Sequence, residues 1–175
     1  MTQMPGPATE IPEKGIRLRP MTAAEFEAWR ARLIPSYTVA HQRTGGWNAE
    51  QAKTLAERKT DQLLPAGPET PGMLLLSAES RDGALLGMVW IALDHPSAGF
   101  AWIYEIEILQ EHRGQGHGRA LLQAAEQESA RHGITEIGLN VFGPNVVARS
   151  LYDSSGYEVT ATQMRKRLAA DGTAD

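Results

Sequence analysis

Between a strand-like run and a helix-like run the chain reads Arg113-Gly114-Gln115-Gly116-His117-Gly118-Arg119. Glycines let a backbone take positive φ and come close to a ligand. Free N–H groups at the start of a helix, with the helix dipole behind them, make an anion site. Arg113 and Arg119 can add charge-assisted contacts to a phosphate. The plain alternative is a tight strand-to-helix connection, but three alternating glycines between two arginines argue for phosphate or pyrophosphate binding. It is not a Walker loop: Gly118-Arg119-Ala120 lacks the Lys and the hydroxyl that such a loop needs for phosphate and Mg²⁺. Nor does it fit a dinucleotide fingerprint, since the spacing is GxGxG and Glu136 precedes the core of the next strand.

The strand before the loop carries two acids. Glu105 and Glu107 alternate with Ile106 and Ile108, so by the two-residue period of a strand both carboxylates share one face. Beside an apolar pocket such a carboxylate has a raised pKa and can act as a general base. The alternatives are a solvated strand face, or an acid that only anchors a cationic partner. Of the histidines, His112 and His117 lie in the loop and are read as solvent contacts. His41, His95 and His132 lack the i, i+4 spacing of a metal pair, so no metal is expected. With no cysteine in the chain, a Cys nucleophile, disulfides, Cys-held iron–sulfur clusters and Cys-containing zinc sites are all excluded. Trp29, Tyr37, Trp47, Trp90, Trp102 and Tyr104 are read first as core, with the wall of a pocket as the alternative.

The elements that must position these groups follow from pattern. Residues 1–14 contain Pro5, Pro7 and Pro12 and few large apolar side chains, which predicts a loose arm; residues 169–175 are read as a loose tail. Ile16–Arg19 alternates as a short strand ended by Pro20. Thr22 and Glu25 form a capping-box signature for a first helix, and Asn48 starts a second that runs to about Leu64. Met73–Glu79 and Ala84–Leu93 are strands joined by a turn containing Asp82-Gly83. Phe100–Leu109 is the next strand, and the helix after the glycine loop ends near Gly133. Thr135–Val141 is a strand, Asn145–Ser155 a short helix and Tyr157–Leu168 a last strand. The order predicts one mixed α/β domain over residues 15–168.

Composition is consistent with that domain. At 175 residues, with 42% hydrophobic and 22% charged side chains, the chain is long enough to bury a core and far from a disordered composition. A net charge of −4 gives no overall field for nucleic acid or an anionic membrane, and neither partner is expected. The amino terminus has no signal-peptide pattern and no apolar run reaches a membrane span, so a cytoplasmic protein is expected.

Two segments resemble a known family. Glu105 to Leu122, with Arg113, Gly116 and Gly118 at its signature positions, is similar to motif A of the GNAT acetyltransferases. Asn140 to Tyr157, a strand followed by Asn145-x-x-Ala148, Leu151-Tyr152 and Gly156-Tyr157, is similar to motif B. The likeness is firmest from Met73 to Leu168 and looser over residues 15–64, where the family places two helices that shape an acceptor pocket. It implies a mixed, mostly antiparallel central sheet flanked by helices, with a splayed strand pair holding acetyl-CoA.

The resemblance also implies roles. Residues Arg113 to Arg119 would hold the coenzyme A pyrophosphate. Main-chain groups of Ile106, Glu107 and Ile108 would bond the pantetheine arm along a bulged strand, with the Ile108 N–H polarising the thioester carbonyl. Asn145 would contact the pantetheine arm while capping its helix. Tyr152 stands where the family places its general acid; otherwise it is a packing aromatic. Some members carry a Glu at the position of Asn140, so the base shifts to Glu105 first, then Glu107, or to ordered water. The implied activity is an acyltransferase that moves acetyl from acetyl-CoA to a primary amine by direct attack, with no metal. The net acidity leans toward a cationic acceptor. Many members of the family are homodimers. The alternative is an acyl-CoA-binding sensor that kept the fold and lost transfer.

Overall fold

In a computed structural model, residues 15–33, 48–164 and 166 are described. The expected arm over 1–14 and tail over 169–175 lie outside them, as do Tyr37, His41 and Trp47. Strand β1 (Arg17–Pro20) is followed by helix α1 (residues 23–33) and helix α2 (Ala49–Leu63). Strands β2 (Met73–Glu79), β3 (Leu85–Ala92) and β4 (Phe100–Ile108) come next. Helix α3 (His117–Arg131), strand β5 (Glu136–Leu139) and helix α4 (Val146–Asp153) complete the order.

The strands form one five-stranded sheet in the order β1-β2-β3-β4-β5. Its first three pairings are antiparallel and β4–β5 is parallel. This is the mixed, mostly antiparallel sheet expected from the sequence. Pro20 closes β1 at the sheet edge, where a missing N–H costs no ladder bond. The β2–β3 turn has Gly83 at φ +84, and the Ser80 N–H donates to the Ala84 carbonyl at 2.9 Å.

Helices cover both faces, which is why β2 and β3 read as continuous apolar runs. On one face Leu121, Leu122 and Ala125 of α3 and Tyr152 of α4 pack over Val89, Ile91, Ala101 and Ile103. On the other, Phe26 and Trp29 of α1 and Leu64 pack over Leu75, Met88 and Trp90. Each helix starts where its cap dictates. The Glu25 N–H donates to Thr22 Oγ1 at 3.2 Å and the Thr22 N–H to Glu25 Oε2 at 2.9 Å, the reciprocal pair of a capping box. Asn48 Oδ1 accepts from the Gln51 N–H at 2.9 Å. Gly133 follows α3 at φ +81, as expected.

One expected element is absent from its described part. Residues 157–164 pair with no strand, and Val159 and Met164 stand 73% and 89% exposed. Their alternation of apolar and polar residues reads as a strand, but the described residues offer no neighbour to bury its apolar side.

Candidate active site

The centre of the site is an irregularity in β4. Trp90 pairs with Glu105 while Ile91 pairs with Ile103, so Tyr104 is an extra residue in β4, a β-bulge. It shifts the parity of the strand. Ala101 and Ile103 face the α3 core before the bulge, and Ile106 and Ile108 face it after. Tyr104 and Glu105 therefore both turn to the opposite face, under α1 and α2, and Glu107 follows by period 2. Without the extra residue Glu105 would point into the apolar core beneath α3.

The bulge also opens the sheet. Strand β5 pairs with β4 only from Phe100 to Ile103, so Tyr104 to Ile108 have no strand partner on that side among the described residues. The Leu109 N–H donates to the Leu86 carbonyl on β3 at 2.9 Å. By the alternation of an antiparallel ladder, Glu107 then bonds toward β3, and the main-chain groups of Ile106 and Ile108 face the open edge. The Ile108 carbonyl accepts from Arg113 Nε at 2.8 Å across that edge. Gly87 allows the close approach of β3 beneath Glu107: a Cβ there would lie 2.1 Å from the Glu107 carbonyl oxygen.

Helix α3 begins against this edge. Gly114 and Gly116 hold φ +75 and +84, the left-handed region where a side chain strains the backbone. Gly116 is the N-cap without a side-chain partner, and the first turn contains no acid. The amides of His117, Gly118 and Arg119 are thus the unpaired first-turn donors of an undamped helix dipole. Both loop arginines turn their side chains to protein. Arg113 Nη2 lies 3.3 Å from Glu107 Oε1. Arg119 donates to the Ser154 carbonyl at 3.2 Å, Ser154 Oγ at 2.6 Å and Ser155 Oγ at 3.1 Å, tying α4's C-terminal end to α3. Gln115 Nε2 donates to the Glu111 carbonyl at 3.4 Å. The rings of His112 and His117 lie 6.4 Å apart at the loop surface.

Asn145 caps α4, its Oδ1 accepting from the Ala148 N–H at 3.2 Å. About two helical turns on, Tyr152 faces inward: it is 9% exposed, and its ring lies 5.6 Å from that of Tyr157. Burial raises the Tyr152 phenol above its ordinary pKa, and the Glu105 carboxylate raises it further. That coupling joins two residues far apart in sequence. Glu105 is itself pushed up to about 7, first by burial and then by the charge of Glu107. A carboxyl group so placed accepts a proton near neutrality, and a neutral phenol beside it donates one.

Glu105 lines a cavity of about 350 Å³ between β3–β4 and the two amino-terminal helices. Trp90 and Tyr104, stacked at 4.6 Å, form one wall; Leu33, Ala56, Lys59, Thr60, Gln62 and Leu63 form the others. Tyr104 Oη lies 3.3 Å from His95 Nε2, and burial raises its phenol. Of the aromatics weighed from sequence, Trp90 and Tyr104 line the cavity and Trp29 is buried behind them, edge-on to Trp90 at 5.6 Å. Trp102 stacks with Phe100 at 6.4 Å over Gly138 of β5. Asn140 is exposed beyond the end of β5. The resemblance implied that the helix over α2 shapes an acceptor pocket, but not which residues line it, although Ala56, Thr60 and Leu63 recur at helical spacing and mark its inward stripe. Among the described residues no group of three His, Asp or Glu side chains is placed to share a metal ion. No described helix is long and apolar enough to cross a membrane.

Comparison with known proteins places this architecture. The profile of the Acetyltransferase (GNAT) family matches residues 26–157. The uncharacterized N-acetyltransferase YycN of Bacillus subtilis is 32% identical over 155 residues, 87% of this chain and 99% of YycN. The YycN crystal structure superposes with a TM-score of 0.83 at 31% identity, covering 89% of this chain and 99% of YycN. The mycothiol acetyltransferase of Kytococcus sedentarius is 29% identical over 160 residues, 91% of this chain but 50% of the relative, so the chain spans about half the length of that enzyme. A Thermoplasma acidophilum PaiA N-acetyltransferase solved with coenzyme A shares the fold, at TM-score 0.63 and 21% identity over 85% of this chain and 93% of that one. The bulged β4, the glycine-capped α3 and the paired motifs around them are carried on a chain that belongs to the GNAT acetyltransferase family.

Proposed function

We propose that the protein is an N-acetyltransferase that moves the acetyl group of acetyl-CoA to a primary amine by direct attack. The observation that carries this reading is the placement of Glu105. It is a half-buried carboxyl with a pKa pushed up to about 7, at the bulge that opens the β4 edge and on the wall of a cavity, within electrostatic reach of Tyr152. The site fits the coenzyme on its own features. Unpaired amides at the start of α3 suit a pyrophosphate, and the open edge from Ile106 to Ile108 suits an amide-bearing arm added like a strand. Arg113 to Arg119 act there chiefly through the main chain, since both arginine side chains hold protein groups. Asn145 stands at the head of α4, where it would serve the arm and its own cap together.

Glu105 takes a proton from the acceptor's ammonium and passes it to solvent. The neutral nitrogen then attacks the thioester carbon, and the N–C bond forms while the Ile108 N–H steadies the developing oxyanion. As the C–S bond breaks, Tyr152 gives its proton to the sulfur and is restored by the second proton that the nitrogen loses. The products are the acetylated amine and the coenzyme thiol, with one proton released overall. Glu107, held by Arg113, supports the charge of the edge and raises Glu105, which makes it the poorer base of the two.

Incubation with isotope-labelled acetyl-CoA and a desalted, fractionated cell extract tests the reading. Label in a small amine supports it directly, and label on a polypeptide supports it with a protein acceptor. Bound acetyl-CoA with no label transferred overturns it in favour of the sensor, the reading that Asn140 in place of an acid would suit.

A further inference from the structure

The cavity beside Glu105 carries charge of both signs on facing elements. Glu105 projects from β4, and Lys59 lies across from it on α2. Leu33, Leu63 and the stacked pair Trp90 and Tyr104, which line the same cavity, are largely apolar. Two cations of the same helices are matched: Lys53 lies 3.9 Å from Glu57, and Arg30 is paired with Asp61. Among the described residues Lys59 has no ion-pair partner. A polycation entering this cavity would meet one carboxylate and an opposing ammonium. A simple apolar amine would leave that ammonium unanswered.

We propose that the acceptor is a small α-amino acid with an apolar side chain, its amine directed to Glu105, its carboxylate to Lys59 and its side chain against Trp90 and Tyr104. This rests on the transferase reading above and narrows it. A volume of about 350 Å³ suits a molecule of that size and is at the small end of the usual range of about 300–1,000 Å³ for ligand cavities. The stacked aromatic wall suits a ring or a branched aliphatic chain. The transfer keeps the balance given above and yields an N-acetyl amino acid and the coenzyme thiol.

The test is a kcat/KM comparison of L-phenylalanine and L-leucine with 2-phenylethylamine, the decarboxylated counterpart of the first, and with spermidine. The expected preference for L-phenylalanine over 2-phenylethylamine is about two- to fivefold, the worth of one charge pair whose lysine is exposed. In Lys59→Met that preference ratio falls toward one, and in Lys59→Glu it inverts. Tryptophan fluorescence titrated with L-phenylalanine in the absence of acetyl-CoA gives the same ranking of the three proteins by Kd. Preference for 2-phenylethylamine or spermidine in the unaltered protein overturns the amino-acid assignment while the transferase reading stands, and so does a ratio that the variants leave unchanged. Acetyl-CoA binding without transfer to any amine, these or those of an extract, removes the transferase reading and this inference with it.

Discussion

Glu105 and Tyr152 make separate demands on pH. A carboxyl with a pKa of about 7 is unable to accept a proton until it ionises, so kcat/KM for the amine should climb as pH rises through neutrality. Glu105→Gln removes that limb and lowers kcat/KM by about 10²- to 10⁴-fold, the usual span for a lost general base. The same shift has a stability consequence of defined sign. A group whose folded pKa is raised contributes stability below its unfolded value, and that contribution is lost as pH rises through about 7. The glutamine variant should therefore melt no lower than the parent at pH 8, although its activity is largely gone. Tyr152→Phe keeps the packing against Tyr157 and removes only the hydroxyl. Acetyl-CoA affinity should be retained and transfer should fall by about 10²-fold or more, measured by thiol release. Unchanged turnover would make Tyr152 a packing residue.

At the scale of elements, Gly87 is the position on which the site's geometry leans. A Cβ there would sit 2.1 Å from the Glu107 carbonyl oxygen and 3.1 Å from Ile108 Cα, both backbone atoms that no rotamer change can clear. Gly87→Ala should cost about 1–3 kcal/mol, as overpacking of a tight core does. Its distinguishing mark would be a rise in KM for acetyl-CoA, because the displaced stretch of β4 is the open edge itself. The bulge beside it explains what sequence could and could not show. Phe100, Trp102, Tyr104, Ile106 and Ile108 are all apolar, an unbroken alternation that reads as a regular strand. The positions facing α3 change from odd to even across Tyr104, and that change is masked by the aromatics. Glu105 and Glu107 were legible as neighbours on one face, since the extra residue precedes both. The lining of the cavity was not, because it needs α2 brought across the sheet. Caps and turns, at Thr22, Asn48, Gly83 and Gly133, were legible because each depends on two or three adjacent residues.

The amino-terminal helix is locked to the sheet by charge rather than by contact alone. Arg19 forms a fork on Glu25 at 2.6 and 2.7 Å and donates to Glu79 at 2.6 Å, while Ser77 Oγ donates to Glu25 at 3.1 Å. The Arg19 bonds hold Glu25 down to about 2, and Glu79 is held below its usual range by Arg19 and Arg17 against its own burial. Carboxylates with depressed pKa values contribute stability above the unfolded value, and that contribution is lost as pH falls from there toward 2. An acid titration followed by circular dichroism should show unfolding between about pH 4 and 2 in the parent. Glu25→Gln should move that midpoint upward and lower the Tm at pH 7, whereas at pH 2 the two proteins should differ little. As α1 carries Leu33 to the cavity wall, the same variant should weaken acceptor binding before it affects acetyl-CoA.

For the molecule as a whole, the decisive property is that the proposed coenzyme site bridges elements that otherwise meet weakly. Strand β5 pairs with β4 over four residues, and α4 is tied to α3 by Arg119. A ligand lying along the β4 edge with its phosphates on the α3 amides would join both halves and bind only the folded chain. At about one hundred times its Kd such a ligand adds about 2.7 kcal/mol, and at about 2–4 °C per kcal/mol for a domain of this size the melting temperature should rise by about 5–11 °C. Pantetheine, which lacks the phosphates, should raise it much less at the same concentration, since it leaves the α3 amides unpaired. Gly116→Ala, strained at φ +84, should bring the response to coenzyme A down toward that to pantetheine. If pantetheine and coenzyme A stabilise the protein equally, the glycines of this loop serve helix–strand packing, and the anion is held elsewhere or not at all.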